Sequence, residues 1–420
     1  MKVLNIIQKY YPSRGGAELF MQIVSEYLAE ELNYDVDVWT TNALRAETLW
    51  DLEGETIQVD KALINGVKVR RFSFEGHILN HKYINKIYRV LFSHFPNWKI
   101  QNLASCPTIF SMLKEAKSNL LKNYDYITVT SSPYYFLFYV GYIISKRFNI
   151  PYIIIPALHV GKDSKDSLRK KYLRKSILPF LKYADKIVLN TRVEGEYIYD
   201  FCKKNGVLID KEKLILIGQG IFLDKILIGN GERFKEKYSL EYPIVFQVGS
   251  KTFDKGSFNL IKAMKLIWDQ GGKYHLVFAG QSNREFTKYI ESLDGKYKKY
   301  ILNINNISDQ EKWDLYDAGD LFSMVSKTDS FGIVYLESWA YRKPVLGCNN
   351  AAMREVISNN SDGFLVDFDD IRGISKKIKY LLDNKERRLE MGSNGFIKVR
   401  EKYDWNRNLK KVAEIYKKSN

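Results

Sequence analysis

Cysteine, histidine and proline are scarce in this chain of 420 residues, which has three cysteines, five histidines and nine prolines. Cys106, Cys202 and Cys348 show no Cys-x-x-Cys spacing, so we expect reduced thiols in a cytosolic protein, with neither a zinc site nor a redox pair. The sequence also lacks Pro-rich or Ser-rich tracts, which argues against disorder. We therefore expect the whole chain to fold.

Long hydrophobic runs are absent as well. The longest apolar stretch, residues 134–144, is shorter than the roughly 20 residues that cross a bilayer. The apolar run at residues 3–7 is too short for a secretory signal and continues into a strand-like pattern. These features predict a protein without a membrane-spanning segment.

Positive charge is abundant, with 65 Lys and Arg against 49 Asp and Glu and a formal net charge of +16. This excess favours an anionic partner, either a nucleotide, an anionic lipid or a nucleic acid, and does not choose among them. The chain contains no recognisable nucleic-acid-binding motif, so we expect no nucleic-acid partner.

Short apolar runs alternate with segments of helical periodicity along the whole chain. We predict strands at residues 3–7, 36–39, 67–72, 127–129, 152–155 and 187–189, then at 244–248, 275–279, 301–304, 321–325 and 344–347. Such alternation predicts an α/β protein with doubly wound parallel sheets. Thr191 with Glu194, and Ser308 with Glu311, fit capping boxes at helix starts.

The length exceeds what one core usually supports, and the two halves repeat the same scheme. We place the junction near residues 217–237, where glycines cluster, and predict domains at residues 1–217 and 218–404. The final segment, residues 405–420, is helical in pattern and can pack against either domain.

Two strand-to-helix turns are rich in glycine. Gly15-Gly16 follows the first strand, and a second loop from Gly249 to Gly256 contains Lys251 and Lys255. Backbone amides at such turns, with the helix dipole and nearby cations, suit a phosphate group. Glycine also serves tight turns for steric reasons alone, and the two lysines can equally be solvated surface residues.

The most specific segment follows the predicted strand 321–325. Asp329-Ser330-Phe331-Gly332 forms a loop, and Glu337 lies on the helix after it. This spacing allows both carboxylates to reach one crevice.

These residues resemble the signature of glycosyltransferase family 4, a retaining family with the GT-B fold of two Rossmann-like domains that face a cleft. The family has two acidic residues at this spacing with a Phe-Gly pair between them. The resemblance implies that Asp329 binds hydroxyls of the donor sugar, that Phe331 and Gly332 support the sugar and diphosphate, and that Glu337 binds the ribose. It runs along nearly the whole chain, through Gly15-Gly16 and Lys255-Gly256 to later segments such as 343–345 and 352–356.

Two residues depart from the family pattern. The first acid is usually glutamate, whereas Asp329 is one methylene shorter, and the family arginine after the strand is replaced by Ser250. Lys251 can supply the missing charge, although its ammonium group cannot form the paired hydrogen bonds of an arginine guanidinium. These departures leave open a non-catalytic nucleotide-sugar binder as an alternative.

Among the histidines, His159 follows the predicted strand 152–155, where the resemblance implies a contact to the donor sugar near the reacting carbon. A loop histidine bonded to backbone is the alternative. His275 lies inside a strand and is interpreted as structural, and we expect no metal site.

Asp35 and Asp37 resemble a metal-binding acid pair in their spacing, but their alternation with Val36 and Val38 is typical of a half-exposed strand.

Two basic segments, residues 77–98 and 167–182, place apolar and aromatic residues at helical spacing beside lysines and arginines. Two ordinary surface helices would give this pattern. The other interpretation is peripheral docking to the inner face of an anionic membrane.

Taken with the resemblance, the sequence predicts a retaining, metal-independent glycosyltransferase without a cofactor. Its co-substrate would be a UDP-sugar or GDP-sugar and its acceptor a glycan or a lipid-linked molecule. His159, Lys255 and Asp329 are the expected catalytic residues, and Gly15, Gly16, Lys251, Ser330, Phe331, Gly332 and Glu337 are expected to bind the donor. A phosphorylase or an epimerase on the same fold is a less favoured alternative.

Overall fold

The computed structural model describes residues 1–13, 15–45, 47–49, 54–73, 87, 90–92, 95–130, 132–161 and 172–417. These residues divide into two compact units. Those within Met1–Leu158, Ser167–Ile217 and Leu409–Asn420 form the amino-terminal unit. Those within His159–Asp166 and Gly218–Asn408 form the carboxy-terminal unit.

The amino-terminal unit is built on one sheet with α-helices between its strands. Its described strands are β1 (Lys2–Ile6), β2 (Asp35–Thr41), β3 (Lys61–Ile64), β4 (Val67–Phe72), β5 (Tyr126–Thr130), β6 (Tyr152–Ile155), β7 (Lys186–Leu189) and β8 (Leu214–Leu216). Its described helices are α1 (Gly16–Glu30), α2 (Trp98–Leu103), α3 (Phe110–Glu115), α4 (Tyr135–Phe148), α5 (Leu178–Tyr183) and α6 (Arg192–Lys204). Short 3₁₀ turns cover Glu47–Leu49, Asn119–Asn123, Lys175–Ile177 and Lys211–Lys213.

The carboxy-terminal unit has a second sheet. Its strands are β9 (Ile244–Val248), β10 (His275–Ala279), β11 (Ile301–Ile304), β12 (Leu321–Met324), β13 (Val345–Cys348) and β14 (Gly363–Val366). The helices are α7 (Leu223–Ile226), α8 (Gly231–Tyr238), α9 (Ser257–Asp269), α10 (Arg284–Glu291), α11 (Gly295–Lys298), α12 (Asp309–Ala318), α13 (Ile333–Ala340), α14 (Ala351–Val356), α15 (Ile371–Asp383), α16 (Lys385–Lys402) and α17 (Trp405–Ile415), the last of which runs on into the amino-terminal unit.

Both sheets reverse their strand order in the middle. The carboxy-terminal order is β11-β10-β9-β12-β13-β14, and the amino-terminal order is β3-β4-β2-β1-β5-β6-β7-β8. In such sheets ligands bind at the carboxyl ends of the two strands where the order reverses. Those strands are β9 and β12 in the carboxy-terminal unit and β1 and β5 in the amino-terminal unit. A ligand site is therefore expected in the loops that follow these strands.

The predicted class of doubly wound parallel sheets is confirmed. All strand pairs among the described residues are parallel except β3 with β4. Central strands such as β9 are buried along their whole length, which explains why their sequences are mostly apolar rather than alternating. The eleven predicted strands coincide with observed strands to within one or two residues at each end.

Strands β3, β8 and β14 were not among those predicted from the sequence. β3 is an edge strand with alternating exposure, and it turns into β4 through Asn65-Gly66, both with positive φ. An Asn-Gly pair between two strands is a strong hairpin signal that would have revealed it. β8 and β14 lie at sheet edges, and β8 is too short and too exposed to show a periodicity.

The two predicted helix caps are present, although neither shows the reciprocal bond of a full capping box. Thr191 Oγ1 accepts from Glu194 N at 3.2 Å, and Ser308 Oγ accepts from Glu311 N at 3.2 Å. The Glu194 carboxylate instead accepts from the amides of Leu158 and Asn190, each at 2.7 Å. Buried Glu194 therefore joins the loops that follow β6 and β7.

The carboxyl-terminal end of α17 packs on the amino-terminal sheet. The hydroxyls of Tyr416 and Thr128 lie 3.0 Å apart, and Lys186 Nζ donates to the carbonyl of Ile415 at 2.5 Å. At the start of the same helix, Trp405 N donates to Ile221 O within the carboxy-terminal unit. No helix in the part of the chain that the structure describes is long and apolar enough to cross a membrane.

Candidate functional site

Lys255 and Asp329 meet at the switch point of the carboxy-terminal sheet. Lys255 lies in the loop after β9 and Asp329 in the loop after β12, the two strands where the order reverses. Lys255 Nζ is 3.1 Å from Asp329 Oδ2, while Ser330 N donates to Asp329 Oδ1 at 3.0 Å. About a quarter of the Lys255 side chain is exposed, whereas that of Asp329 is 9% exposed. The structure thus brings together a buried acid and an accessible cation.

The charge state of Asp329 follows from its neighbours. Burial by itself raises the pKa of Asp329, but the positive charges of Lys255 and then His159, with the hydrogen bonds from Lys255 and Ser330, lower the pKa on balance. Asp329 is therefore ionised at neutral pH. An ionised carboxylate accepts hydrogen bonds from hydroxyl groups, and the paired ammonium is available to an anion.

Glycine is required where the loop after β9 touches β12. Gly256 has φ +74°, and a Cβ there would lie 2.2 Å from the carbonyl oxygen of Val325. Any other residue would push the two loops apart, so Gly256 sets the separation of Lys255 from Asp329. Gly256 is also the N-cap of α9 and carries no capping side chain.

Helix α13 begins in the same way. Its N-cap is Gly332, with φ +85°, so the predicted Ser330-Phe331-Gly332 segment forms the entry to this helix. The amides of a helix's first turn lack partners within the helix and carry partial positive charge. Phe331 is buried, with its ring 5.4 Å from that of Tyr403, which fixes the loop in place. The first turn of α13 can therefore receive an anion beside Asp329.

Glu337 lies just over one turn into α13 and has different partners from Asp329. Its Oε1 is 3.0 Å from Lys312 Nζ, and its Oε2 accepts from the hydroxyl of Tyr316 at 2.6 Å. The residue is 7% exposed. Lys312 and Tyr316 both belong to α12 and were not predicted as site residues, although their spacing of four residues puts them on one helix face.

Lys251 has its own set of partners. Its Nζ donates to Asn303 Oδ1 at 2.6 Å, to the carbonyl of Ile304 at 2.8 Å and to Asn305 Oδ1 at 3.1 Å. These three bonds use all the hydrogens of the ammonium group. The side chain is fully buried, and burial lowers the pKa of Lys251 to about 7. The predicted diphosphate contact of Lys251 would require breaking this arrangement.

The short segment at residues 159–161 belongs to the carboxy-terminal unit and lies against the switch-point loop. Val160 N donates to Asp329 O at 3.3 Å, and Ala351 N donates to Gly161 O at 3.0 Å. His159 is half-buried, and its charge lowers the pKa of Asp329. The structure therefore places the predicted histidine near the predicted acid.

The predicted glycine turn belongs to the amino-terminal unit, at the switch point beside β1. Gly15 is the N-cap of α1, and Gly16 is its first residue. A Cβ on Gly15 would lie 2.3 Å from Glu18 Oε2. Glu18 is buried, and its Oε1 is bound by Lys9 at 3.1 Å and by Gln8 at 3.0 Å. Gly15 thus makes room for a buried ion pair, which is a steric reason for glycine at this position.

Other candidate residues have structural partners. Asp35 pairs with Lys68 at 2.6 Å, and Asp37 accepts from the hydroxyl of Tyr124 at 2.7 Å. His275 is buried within β10. Within the described ranges, no three His, Cys, Asp or Glu side chains are grouped so that they could hold a metal ion. His77, His81 and His94 lie outside the described residues.

The amino-acid sequence is similar to those of known glycosyltransferases. Residues 230–398 match the model of a family described as glycosyl transferases group 1. The capsular polysaccharide biosynthesis glycosyltransferase CapM of Staphylococcus aureus is 26% identical over 206 residues, which are 47% of this chain and 53% of CapM. A probable sucrose-phosphate synthase of Thermosipho melanesiensis is 24% identical over 62% of this chain and 60% of its own length. The chain thus spans little more than half the length of these two relatives.

The fold is shared with solved structures. Anabaena HepE in complex with UDP and glucose superposes with a TM-score of 0.71 at 16% identity, covering 99% of both chains. The predicted GT-B class is therefore confirmed. The family match spans β9 to β14, and so contains Lys255, Asp329 and Glu337. The part of the chain that carries the site, residues 230–398, is therefore similar in sequence to the glycosyl transferases group 1 family.

Proposed function

We propose that the protein is a retaining glycosyltransferase that moves a sugar from a nucleoside diphosphate to a glycan or lipid-linked acceptor. The observation that carries the proposal is the Lys255–Asp329 pair at the switch point, next to the first turn of α13. The carboxy-terminal unit would bind the donor and the amino-terminal unit the acceptor. The relatives named for capsular polysaccharide and sucrose-phosphate synthesis agree with this reaction class.

Each residue has a distinct task in this proposal. Asp329 accepts hydrogen bonds from sugar hydroxyls, and Glu337 accepts them from the ribose. Lys255 and the amides at the start of α13 stabilise the negative charge that develops on the leaving diphosphate. His159 contacts the sugar near its reacting carbon. Gly15-Gly16 would contribute amides from the amino-terminal unit.

Because both acids hold the donor, neither is free to act as the nucleophile of a double displacement. We therefore propose substitution on one face of the sugar. The bond from the anomeric carbon to the diphosphate oxygen breaks, and the acceptor oxygen bonds to that carbon on the same face. The acceptor proton passes to the departing phosphate oxygen, so the configuration is retained.

Positive charge from the protein takes the place of a metal ion in this scheme. Lys255 lies beside Asp329 with part of its side chain exposed, and the helix N-termini at Gly256 and Gly332 add amide donors. We propose that neither a divalent cation nor a cofactor takes part in the transfer.

The test is a panel of UDP-sugars and GDP-sugars scored by the nucleoside diphosphate released, with Glu337→Ala as the negative control. We expect release from at least one donor, unchanged in excess EDTA, and a product whose anomeric configuration by NMR equals that of the donor. Binding without any release would support the alternative of a non-catalytic binder. An inverted product would refute the same-face step, and full inhibition by EDTA would refute metal independence.

Peripheral membrane binding would bring the enzyme to a lipid-linked acceptor. Two basic segments suggest such binding, residues 77–98 and 167–182, and half of their residues lie outside the described ones. Within the first segment, four apolar side chains at helical spacing are exposed: Ile87, Val90, Leu91 and Phe95. Apolar residues beside lysines and arginines suit an anionic bilayer surface.

Liposome sedimentation at low salt tests this part of the proposal. We expect binding to vesicles of anionic but not zwitterionic lipid, and weaker binding by Leu91→Glu. Leu208→Glu is the matched control, because Leu208 is 84% exposed in the loop after α6. Equal binding of both variants, or no binding by the wild type, would refute membrane docking through this segment.

A further inference from the structure

Helix α12 holds both carboxylate oxygens of Glu337. Tyr316 donates its hydroxyl to Oε2 at 2.6 Å, and Lys312 Nζ lies 3.0 Å from Oε1. Each oxygen therefore has one donor from the protein. A carboxylate accepts about four hydrogen bonds in total, so roughly half of its capacity stays open.

The two donors are themselves fixed by packing. Tyr316 is fully buried, and its ring stacks on that of Tyr341 with centroids 6.0 Å apart. The Lys312 ammonium lies 3.7 Å from the centre of the Trp313 ring, which adds a cation–π contact to its ion pair. Burial and the charge of Glu337 raise the pKa of Tyr316 well above its ordinary value, so the phenol remains a donor at neutral pH.

This geometry does more than neutralise a charge. A glutamate carboxylate is free to rotate about its terminal torsion unless both oxygens are held. Holding each oxygen from one side fixes the plane of the carboxylate and leaves its remaining lone pairs for a ligand. Two neighbouring hydroxyls on one ring match such a carboxylate, and a ribose offers them at its 2′ and 3′ positions.

We propose that Tyr316 and Lys312 are positioning residues that make Glu337 selective for a nucleotide with an intact ribose diol. This inference rests on the proposed function, because it takes the ligand of Glu337 to be a nucleoside diphosphate. Tyr316 sets the orientation of the carboxylate, and Lys312 holds its other oxygen in place. Neither residue needs to touch the sugar that is transferred.

The test compares two nucleotides on two proteins by calorimetry. UDP and GDP are titrated first, and the tighter one is then compared with its 2′,3′-dideoxy form. For Tyr316→Phe we expect affinity for the ribonucleotide to fall about 10-fold, the effect of one lost hydrogen bond to a charged group. Affinity for the dideoxy nucleotide should change by less than about twofold, because the diol that Glu337 would bind is already missing.

Two further variants separate positioning from general packing. Tyr297→Phe is the matched control, because Tyr297 is also buried and donates to a carboxylate, that of Asp269, at 2.8 Å. It should leave both affinities unchanged. Lys312→Met should reduce discrimination between the two nucleotides, and Lys312→Arg should restore it.

The outcomes are distinguishable. Equal losses of affinity for both nucleotides in Tyr316→Phe would show a merely structural role and overturn the inference alone. Unchanged affinity for both would overturn it in the same way. Failure of the wild type to bind either UDP or GDP would overturn the proposed function, and the inference with it.

Discussion

The two ends of the loop after β9 carry lysines in opposite environments. Lys251 is fully buried, and its ammonium donates to Asn303, Ile304 and Asn305. Lys255, four residues later, is partly exposed and pairs with the carboxylate of Asp329. Both fit a diphosphate-binding loop by sequence position, but only Lys255 lies at the switch point with an acid. The comparison predicts that Lys251 stabilises the loop, whereas Lys255 binds the ligand in the proposed function.

Removing the charge at position 255 should have the largest effect on catalysis. For Lys255→Met we expect turnover to fall by about 10²–10³-fold, as when one donor to a developing oxyanion is lost. The melting temperature should fall as well, because the buried carboxylate of Asp329 loses its ion-pair partner, so turnover is measured well below the melting temperature of the variant. Lys262→Met, at an exposed position on α9, is the control and should behave as the wild type. Normal turnover and normal donor binding in Lys255→Met would remove Lys255 from the mechanism.

Replacing the buried lysine should instead affect stability. Lys251→Met leaves three acceptors without their donor, which costs about 1–3 kcal/mol for a buried group that is left unsatisfied. We expect a lower free energy of unfolding in a urea titration, with turnover of the folded protein within about threefold of the wild type. A loss of turnover as large as that of Lys255→Met, at unchanged stability, would instead place Lys251 at the diphosphate.

The stability contributed by Lys251 should depend on pH. Burial lowers the pKa of Lys251 to about 7, whereas lysine in an unfolded chain has a pKa of about 10.4. Between these values the unfolded chain binds the additional proton, so this group makes the wild type more stable as pH rises. The difference in melting temperature between wild type and Lys251→Met should therefore widen from pH 6.5 to pH 9. A constant difference would mean that Lys251 stays protonated in the folded protein.

The smallest expected effect concerns the neighbouring serine. Ser250 is exposed at the position where the resemblance implies an arginine. Ser250→Arg adds a guanidinium group that can donate two parallel hydrogen bonds to one phosphate. We therefore expect donor KM to fall by about threefold. Ser250→Met adds length without charge and should leave KM unchanged. If Ser250→Arg and Ser250→Met have the same donor KM, an arginine at this position does not contribute to donor binding.

Much of the fold could be predicted because its central strands are buried on both faces. β9, β10 and β12 are buried and mostly apolar, and their carboxyl ends determine which loops meet. The meeting of Lys255 with Asp329 follows from that order. The edge strand β3 was not predicted because half of its residues face solvent, although the Asn65-Gly66 pair is a hairpin signal next to it.

Side-chain direction could not be predicted in the same way. The side chain of Lys251 points into the protein because its ammonium group binds acceptors at the end of β11. These acceptors are more than fifty residues away in the chain. The hold of Tyr316 and Lys312 on Glu337 depends on how α12 packs beside α13. Sequence spacing shows which residues share a helix face but not which other element that face contacts. The diphosphate role of Lys251 accordingly stays a prediction.

In the proposed function, Asp329 and Glu337 hold different parts of one donor. Calorimetry of the nucleoside diphosphate and of its sugar conjugate, on Asp329→Asn and Glu337→Gln, tests it most directly. We expect Glu337→Gln to weaken binding of both ligands, whereas Asp329→Asn should weaken binding of the conjugate alone. Unchanged affinity of both variants for both ligands would contradict it.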